Sequence, residues 1–183
     1  MHVVGISGSP RRGSVSSILL DALASNAGPN TQFTLYESLT DLPHFNPDND
    51  GTPAHAAVKK LRDLVGSADG VMICSPEYAF SIPSVLKNGL EWLVSSGELN
   101  EKPVLSISTS PLPSGGAKAH KELRSVLQAL GVTLVVPQLL CIGATRKRLS
   151  PEGKILDPGL AEDLRNATAT LVAFIGEKNN VKL

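Results

Sequence analysis

The segment Gly8-Ser9-Pro10-Arg11-Arg12-Gly13-Ser14-Val15-Ser16 has the residue types of an anion cradle. Gly8 and Gly13 permit sharp backbone turns. Ser9, Ser14 and Ser16 offer hydroxyls, and Arg11 and Arg12 carry guanidinium groups able to fork onto phosphate oxygens. Backbone N–H groups from Gly13 to Ser16 open a helix and would point at the anion. The segment is not Gly-x-Gly-x-x-Gly and lacks Gly-Lys-Ser/Thr, which disfavours triphosphate hydrolysis. The alternative has Ser14 only capping the helix and the arginines solvated.

A second segment, Ser75-Pro76-Glu77-Tyr78-Ala79-Phe80-Ser81-Ile82-Pro83, is stiffened at both ends by proline. Tyr78 and Phe80 are candidates to pack near a flat ring, whose polar edge the peptide groups of Glu77 to Phe80 could meet. Glu77 equally suits a nearby cation or a helix end. A third segment, Ser110 to Lys118, contains Gly115-Gly116 before a helix. Paired glycines allow close approach to a ligand, and the positive helix end would favour an anionic reduced flavin. A loop that simply caps the helix remains the alternative. A phosphate cradle and a ring-holding loop together imply flavin mononucleotide (FMN).

These segments need elements that bring them together. Val3–Ser7, Gln32–Glu37, Gly70–Cys74 and Pro103–Thr109 read as strands, and Val132–Ile142 as a fifth, interrupted by Pro137 as suits an edge or a bulge. The run Gly70-Val71-Met72-Ile73-Cys74 is apolar throughout, as a parallel strand covered on both faces requires. Helical spacing marks Ser14–Asn26, Ala54–Ala68, Ser84–Val94, Lys118–Leu130 and Leu160–Phe174, and residues 38–53 read as a loop. This alternation predicts an α/β fold, a flavodoxin-like three-layer sandwich with a five-stranded parallel sheet in the order 2-1-3-4-5. Its ligand site is expected at the switch between strands 1 and 3. One domain spanning 1–183 is expected, with no internal linker.

Composition narrows the function. Lys+Arg and Asp+Glu both number 17, so no net field favours nucleic acid or an anionic membrane. The amino terminus shows no signal peptide and no apolar run is long enough to span a bilayer, so a cytoplasmic protein is expected. Cys74 and Cys141 sit in or beside apolar runs without ligand-spaced neighbours, which predicts reduced core thiols and no metal site. A Cys-x5-Arg phosphatase loop fails, since that spacing lands on Phe80 and Lys147. His2, His44, His55 and His120 are scattered, and ordinary surface or loop roles are expected for them. Trp92 reads as core or an oligomer contact.

In these blocks the chain resembles the NADPH-dependent FMN reductase family. The likeness runs through Gly8-Ser9-Pro10-Arg11, Ser14-x-Ser16, Asp41-Leu42-Pro43-x-Phe45-Asn46-Pro47-Asp48, Pro76-Glu77-Tyr78, Ser81-Ile82-Pro83, Leu86-Lys87-Asn88, Glu91-Trp92 and Gly115-Gly116. The resemblance implies that Ser9, Arg11, Ser14, Val15 and Ser16 hold the FMN phosphate. It also implies that Pro76, Glu77, Tyr78, Ala79 and Phe80 line the flavin, with Ser110 and the Gly115 turn closing another side. Two departures stand out: Ala79 replaces an Asn common in relatives, and Ser16 replaces an Asn of many quinone-reductase-like members.

The implied activity is ping-pong transfer from NADPH or NADH, through FMN, to quinones, azo compounds, metal oxyanions or free flavin. The cofactor carries the chemistry, so no catalytic acid, base or nucleophile is assigned. The rival reading is a flavodoxin-like electron carrier or non-catalytic FMN-binding module. A homodimer or homotetramer is expected from the family and from the apolar Leu86–Leu93 helix.

Overall fold

The computed structural model describes residues 1–51, 53–136, 140–150 and 152–181. Strands β1 (His2–Ser7), β2 (Gln32–Tyr36), β3 (Gly70–Pro76) and β4 (Pro103–Thr109) form a parallel sheet in the order β2-β1-β3-β4. The expected fifth strand is split. β5 (Thr133–Leu134) pairs with Pro103 and Val104, while β6 (Leu140–Ile142) pairs with Ile107 to Thr109, both parallel to β4. The flavodoxin-like order 2-1-3-4-5 therefore holds, its last lane in two pieces; Pro137 lies outside the described residues.

Side chains alternate across this sheet with the strand period of two. Along β3, Val71 and Ile73 enter one core while Met72 and Cys74 enter the other. The first core is closed by α2 (Ala56–Ser67), α3 (Ser84–Glu91) and α4 (Ala117–Ala129), which contribute Leu61, Leu86, Leu90 and Leu123. The second is closed by α1 (Val15–Ser25) and α6 (Pro158–Val181), through Leu19, Leu23, Leu164 and Leu171. Burial on both faces explains why β3 is apolar without alternation from Val71 to Cys74. Leu86, Leu90, Trp92 and Leu93 are spent inside the chain, so this helix leaves no apolar face as a reason for assembly.

Three features exceed the sequence reading. Residues 38–53 contain two 3-10 turns, Leu39–Asp41 and Pro47–Asn49. A four-residue helix, α5 (Thr145–Arg148), follows a left-handed Ala144. Helix α6 starts two residues early, with Pro158 at its first position and Asp157 Oδ1 accepting from Leu160 N–H at 2.9 Å, and runs on to Val181. Trp92 is core: its indole N–H donates to Pro43 O at 2.9 Å, and its ring meets Phe45 edge-on at 5.0 Å. Asn88 fastens the same loop, donating to Pro43 O and accepting from Phe45 N–H.

Candidate functional site

The loops after β1, β3 and β4 meet at the carboxyl edge of the sheet. Gly8 sets the first, its N–H donating to Cys74 O at 2.8 Å as the chain crosses β3. A Cβ there would lie 2.8 Å from a Leu86 methyl and 3.1 Å from Cys74 O, so close approach demands glycine. The loops enclose a cavity of about 240 Å³. Eight of the residues nominated from sequence line it: Ser9, Arg11, Ser14, Val15, Ser16, Pro76, Tyr78 and Ser110. Gly13, Thr109, Pro111 and Thr145 complete the wall. Thr109 and Thr145 escaped the sequence reading. Thr109 had a signal, being the last residue of β4 and adjacent to Ser110; Thr145 had none, because it arrives from beyond β6.

Ser14 is both cap and wall. Its Oγ accepts from Ser17 N–H at 3.3 Å, satisfying a donor of the first turn of α1. Beneath it, Ser7 and Ser17 hydroxyls stand 3.1 Å apart, and Ser17 donates to the Glu37 carboxylate. Ser9 Oγ accepts from Arg11 N–H. The Arg11 side chain, exposed at the cavity, makes no ion pair or hydrogen bond with a described residue.

Two hydroxyls distinguish this cavity. Among the described residues, the buried side-chain oxygens or nitrogens without a hydrogen-bond partner are Ser16 Oγ and Thr109 Oγ1, and both residues line it. Ser16 is 1% and Thr109 4% exposed, so water does not freely substitute. The Cys74 thiol, a weak partner, lies beside Ser16; burial pushes that thiol up to about 12, against a smaller opposing pull from the hydroxyl. Buried hydroxyls left unpaired cost stability unless something else completes them.

Glu77, Ala79, Phe80 and Gly115 stand outside the cavity wall. Glu77 reaches the start of α4, where its Oε2 accepts from Lys118 and Ala119 N–H, each at 3.1 Å. The helix end expected to favour an anionic flavin thus already holds a carboxylate. Gly115 (φ 62°) packs away from the cavity: a Cβ would sit 2.5 Å from the Cys141 carbonyl carbon, and Ser108 Oγ donates to its carbonyl.

Tyr78 and Ser81 exchange two backbone hydrogen bonds of 3.0 Å around a turn in which Ala79 and Phe80 both have positive φ, 51° and 64°. Such a turn normally takes Asn-Gly, so these two residues store strain beside the site. Phe80 is 65% exposed, with Lys118 Nζ 3.8 Å above its ring. Tyr78, 44% exposed, stands at the cavity mouth.

Behind the glycine turn, His120 corrects the expectation of a surface or loop role. It is fully buried on α4, with Nε2 3.1 Å from Ser106 Oγ and Nδ1 3.4 Å from Cys141 Sγ. Burial first, and the Arg124 charge second, lower its pKa to about 4, so it is neutral at physiological pH. Both cysteines are free. Among the described residues there is no cluster of potential metal ligands and no helix long and apolar enough to cross a membrane.

The family model for NADPH-dependent FMN reductases matches residues 1–145. The chain belongs to that family. It is an oxidoreductase of the FMN/quinone reductase type, with FMN and NAD(P)H as cofactor and donor. Quinone reductase of Escherichia coli (strain K12) is 31% identical over 180 residues, covering 95% of this chain and 93% of its own. NADPH azoreductase of Bacillus sp. (strain OY1-2) is 31% identical over 144 residues, 78% of each chain. Among solved structures, FerB, a flavoenzyme NAD(P)H:(acceptor) oxidoreductase from Paracoccus denitrificans, superposes with a TM-score of 0.85 at 27% identity. That match covers 96% of this reductase and 97% of FerB.

Proposed function

We propose that the cavity between the β1, β3 and β4 loops binds FMN, and that the reductase passes electrons from NAD(P)H to a quinone, azo compound, metal oxyanion or free flavin in a ping-pong cycle. The observation that carries this reading is a pair of buried hydroxyls, Thr109 without a hydrogen-bond partner and Ser16 with only the weak Cys74 thiol beside it, lining one cavity with an Arg11 that has no ion pair among the described residues. Their chemistry fits a phosphate and a polyhydroxyl chain, which both accept hydrogen bonds. Ser9, Arg11, Ser14, Val15 and Ser16 hold the phosphate: Arg11 by charge, Ser14 and Ser16 by hydroxyl, and the first turn of α1 by its free N–H groups. Pro76 and Tyr78 orient the ring, assisted by the peptide groups of Glu77, Ala79 and Phe80; Thr109 and Ser110 donate to the middle of the ligand. At about 240 Å³ the cavity is smaller than the roughly 300–1,000 Å³ usual for small-molecule sites, so part of the flavin lies at its Tyr78 mouth, open to a second substrate. When bound, FMN supplies the hydride and electron transfer. The side chains bind and orient, and none acts as a general acid or base.

The whole chain, 1–183, works as one domain in this reading. The free thiols support a reducing compartment, the cytoplasm. Exposed Tyr78, Phe80 and Leu112 on the loops at this edge support a homodimer or homotetramer closing over the site. Light scattering at micromolar concentration checks that point, and a monomeric mass rejects it.

The test is an absorption spectrum of protein mixed with FMN and desalted, then treated anaerobically with NADPH. A retained flavin band that bleaches is expected, followed by reoxidation with quinone. A retained band indifferent to NADPH and NADH would make the protein an electron carrier; no retained band would reject a bound cofactor.

A further inference from the structure

A second cavity adjoins the first on the far side of the phosphate loop. It measures about 390 Å³, and Gly13, Val15 and Thr145 line both. Its remaining wall is Ile18, Arg146, Leu149 and Ser150. Ile18 and Leu149 with Val15 make an apolar floor. The floor is held from two sides: Leu149 bridges to Ile155 across a hairpin, and a Cβ on Gly153 at its tip would touch Ile18 at 3.1 Å. Arg146 stands exposed at the rim. Arg148 on the same short helix is tied to Asp157 at 2.8 Å, whereas Arg146 makes no ion pair or hydrogen bond with its side chain among the described residues.

We propose that this second cavity is an adenylate subsite, and that the protein takes flavin adenine dinucleotide (FAD) as well as FMN. The inference rests on the FMN reading of the first cavity and extends it. With the flavin phosphate in the Ser9–Ser16 loop, a second phosphate joined by an anhydride link passes Gly13 and meets the Arg146 guanidinium. The adenine then lies on Val15, Ile18 and Leu149, a surface suited to a flat, weakly polar ring. An adenosine phosphate could equally belong to NADPH. The nicotinamide, however, must reach the flavin ring at the Tyr78 mouth, and the second cavity lies beyond the opposite, phosphate end. That geometry favours the dinucleotide flavin.

The test is calorimetric titration of the apoprotein with FMN and with FAD, in the wild type and in Arg146→Gln. Arg146 touches only the second cavity, so the variant should leave FMN affinity within about twofold. FAD is expected to bind with a Kd no more than about threefold above that of FMN, and Arg146→Gln to weaken FAD roughly tenfold, as loss of one charge-assisted bond does. FAD binding weaker than that limit, or a loss in Arg146→Gln of under about fivefold or equal for both flavins, overturns the proposal. A rise in the KM for NADPH in Arg146→Gln, with FAD affinity unchanged, assigns the subsite to the nicotinamide cofactor and also overturns it. FMN bound with FAD rejected defeats this proposal alone; rejection of both flavins defeats the FMN reading with it.

Discussion

Helices α1 and α4 both aim their N-termini at the same edge of the sheet, yet the two ends are finished differently. At α4 the orphan N–H groups of Lys118 and Ala119 are taken by the Glu77 carboxylate, and His120 in the next turn is buried against Ser106 and Cys141. At α1 the Ser14 side chain caps only Ser17 N–H, while buried Ser16 Oγ has no partner beyond the weak Cys74 thiol and Arg11 makes no ion pair among the described residues. One end is completed by the protein; the other, with its polar groups less fully satisfied, is the end we propose for the phosphate. A helix N-terminus in a sequence motif therefore says little by itself, because the residue that fills it can come from another loop, here 41 residues away.

The contrast can be broken from either side. The largest effect is expected on the completed side. Below pH 6.5 the unfolded chain protonates the His120 imidazole, whereas the folded chain resists until about pH 4. Stability is fully present above 6.5 and falls as the pH drops through this window, by about 1.4 kcal/mol per unit and about 3 kcal/mol in all. Urea titrations at stepped pH check this, and His120→Gln should flatten the slope. Next, Arg11→Ala should weaken FMN by about 1–3 kcal/mol by calorimetry while leaving the apoprotein's melting temperature unchanged. Smallest, Glu77→Gln should lower thermal stability by about 1 kcal/mol, through a weakened helix cap, and cost less FMN affinity than Arg11→Ala. If Glu77→Gln instead abolished FMN binding with stability intact, the two helix ends would have exchanged roles.

Much of the fold was legible because the central strands are buried on both faces. Val71 to Cys74 had to be apolar throughout, and that run located the strand from which the Pro76–Phe80 loop leaves. The Gly8–Ser16 loop stood out for a local reason: a tight turn and an anion cradle both draw on Gly, Ser and Arg within one short run. What stayed hidden depends on distant partners. Helix α5 begins at a left-handed Ala144, which no local propensity favours. Glu77 offered two roles until α4 was placed beside it. His120 looked like a surface residue until Ser106 and Cys141 came from two other strands to satisfy it. Thr109 looked like the end of a strand until the structure set its buried hydroxyl, without a partner among the described residues, in the cavity wall beside Ser110.

That hydroxyl gives the most direct test of the central claim that the cavity is completed by FMN. Thr109→Val removes it while keeping the shape of the side chain. The apoprotein's stability and the FMN Kd should be measured together on the same variant. The account predicts an apoprotein as stable as the wild type or more so, by up to about 1 kcal/mol, with FMN bound about fivefold more weakly. A destabilised apoprotein with unchanged FMN affinity would show that Thr109 serves the fold, and would contradict the assignment of this cavity to the cofactor.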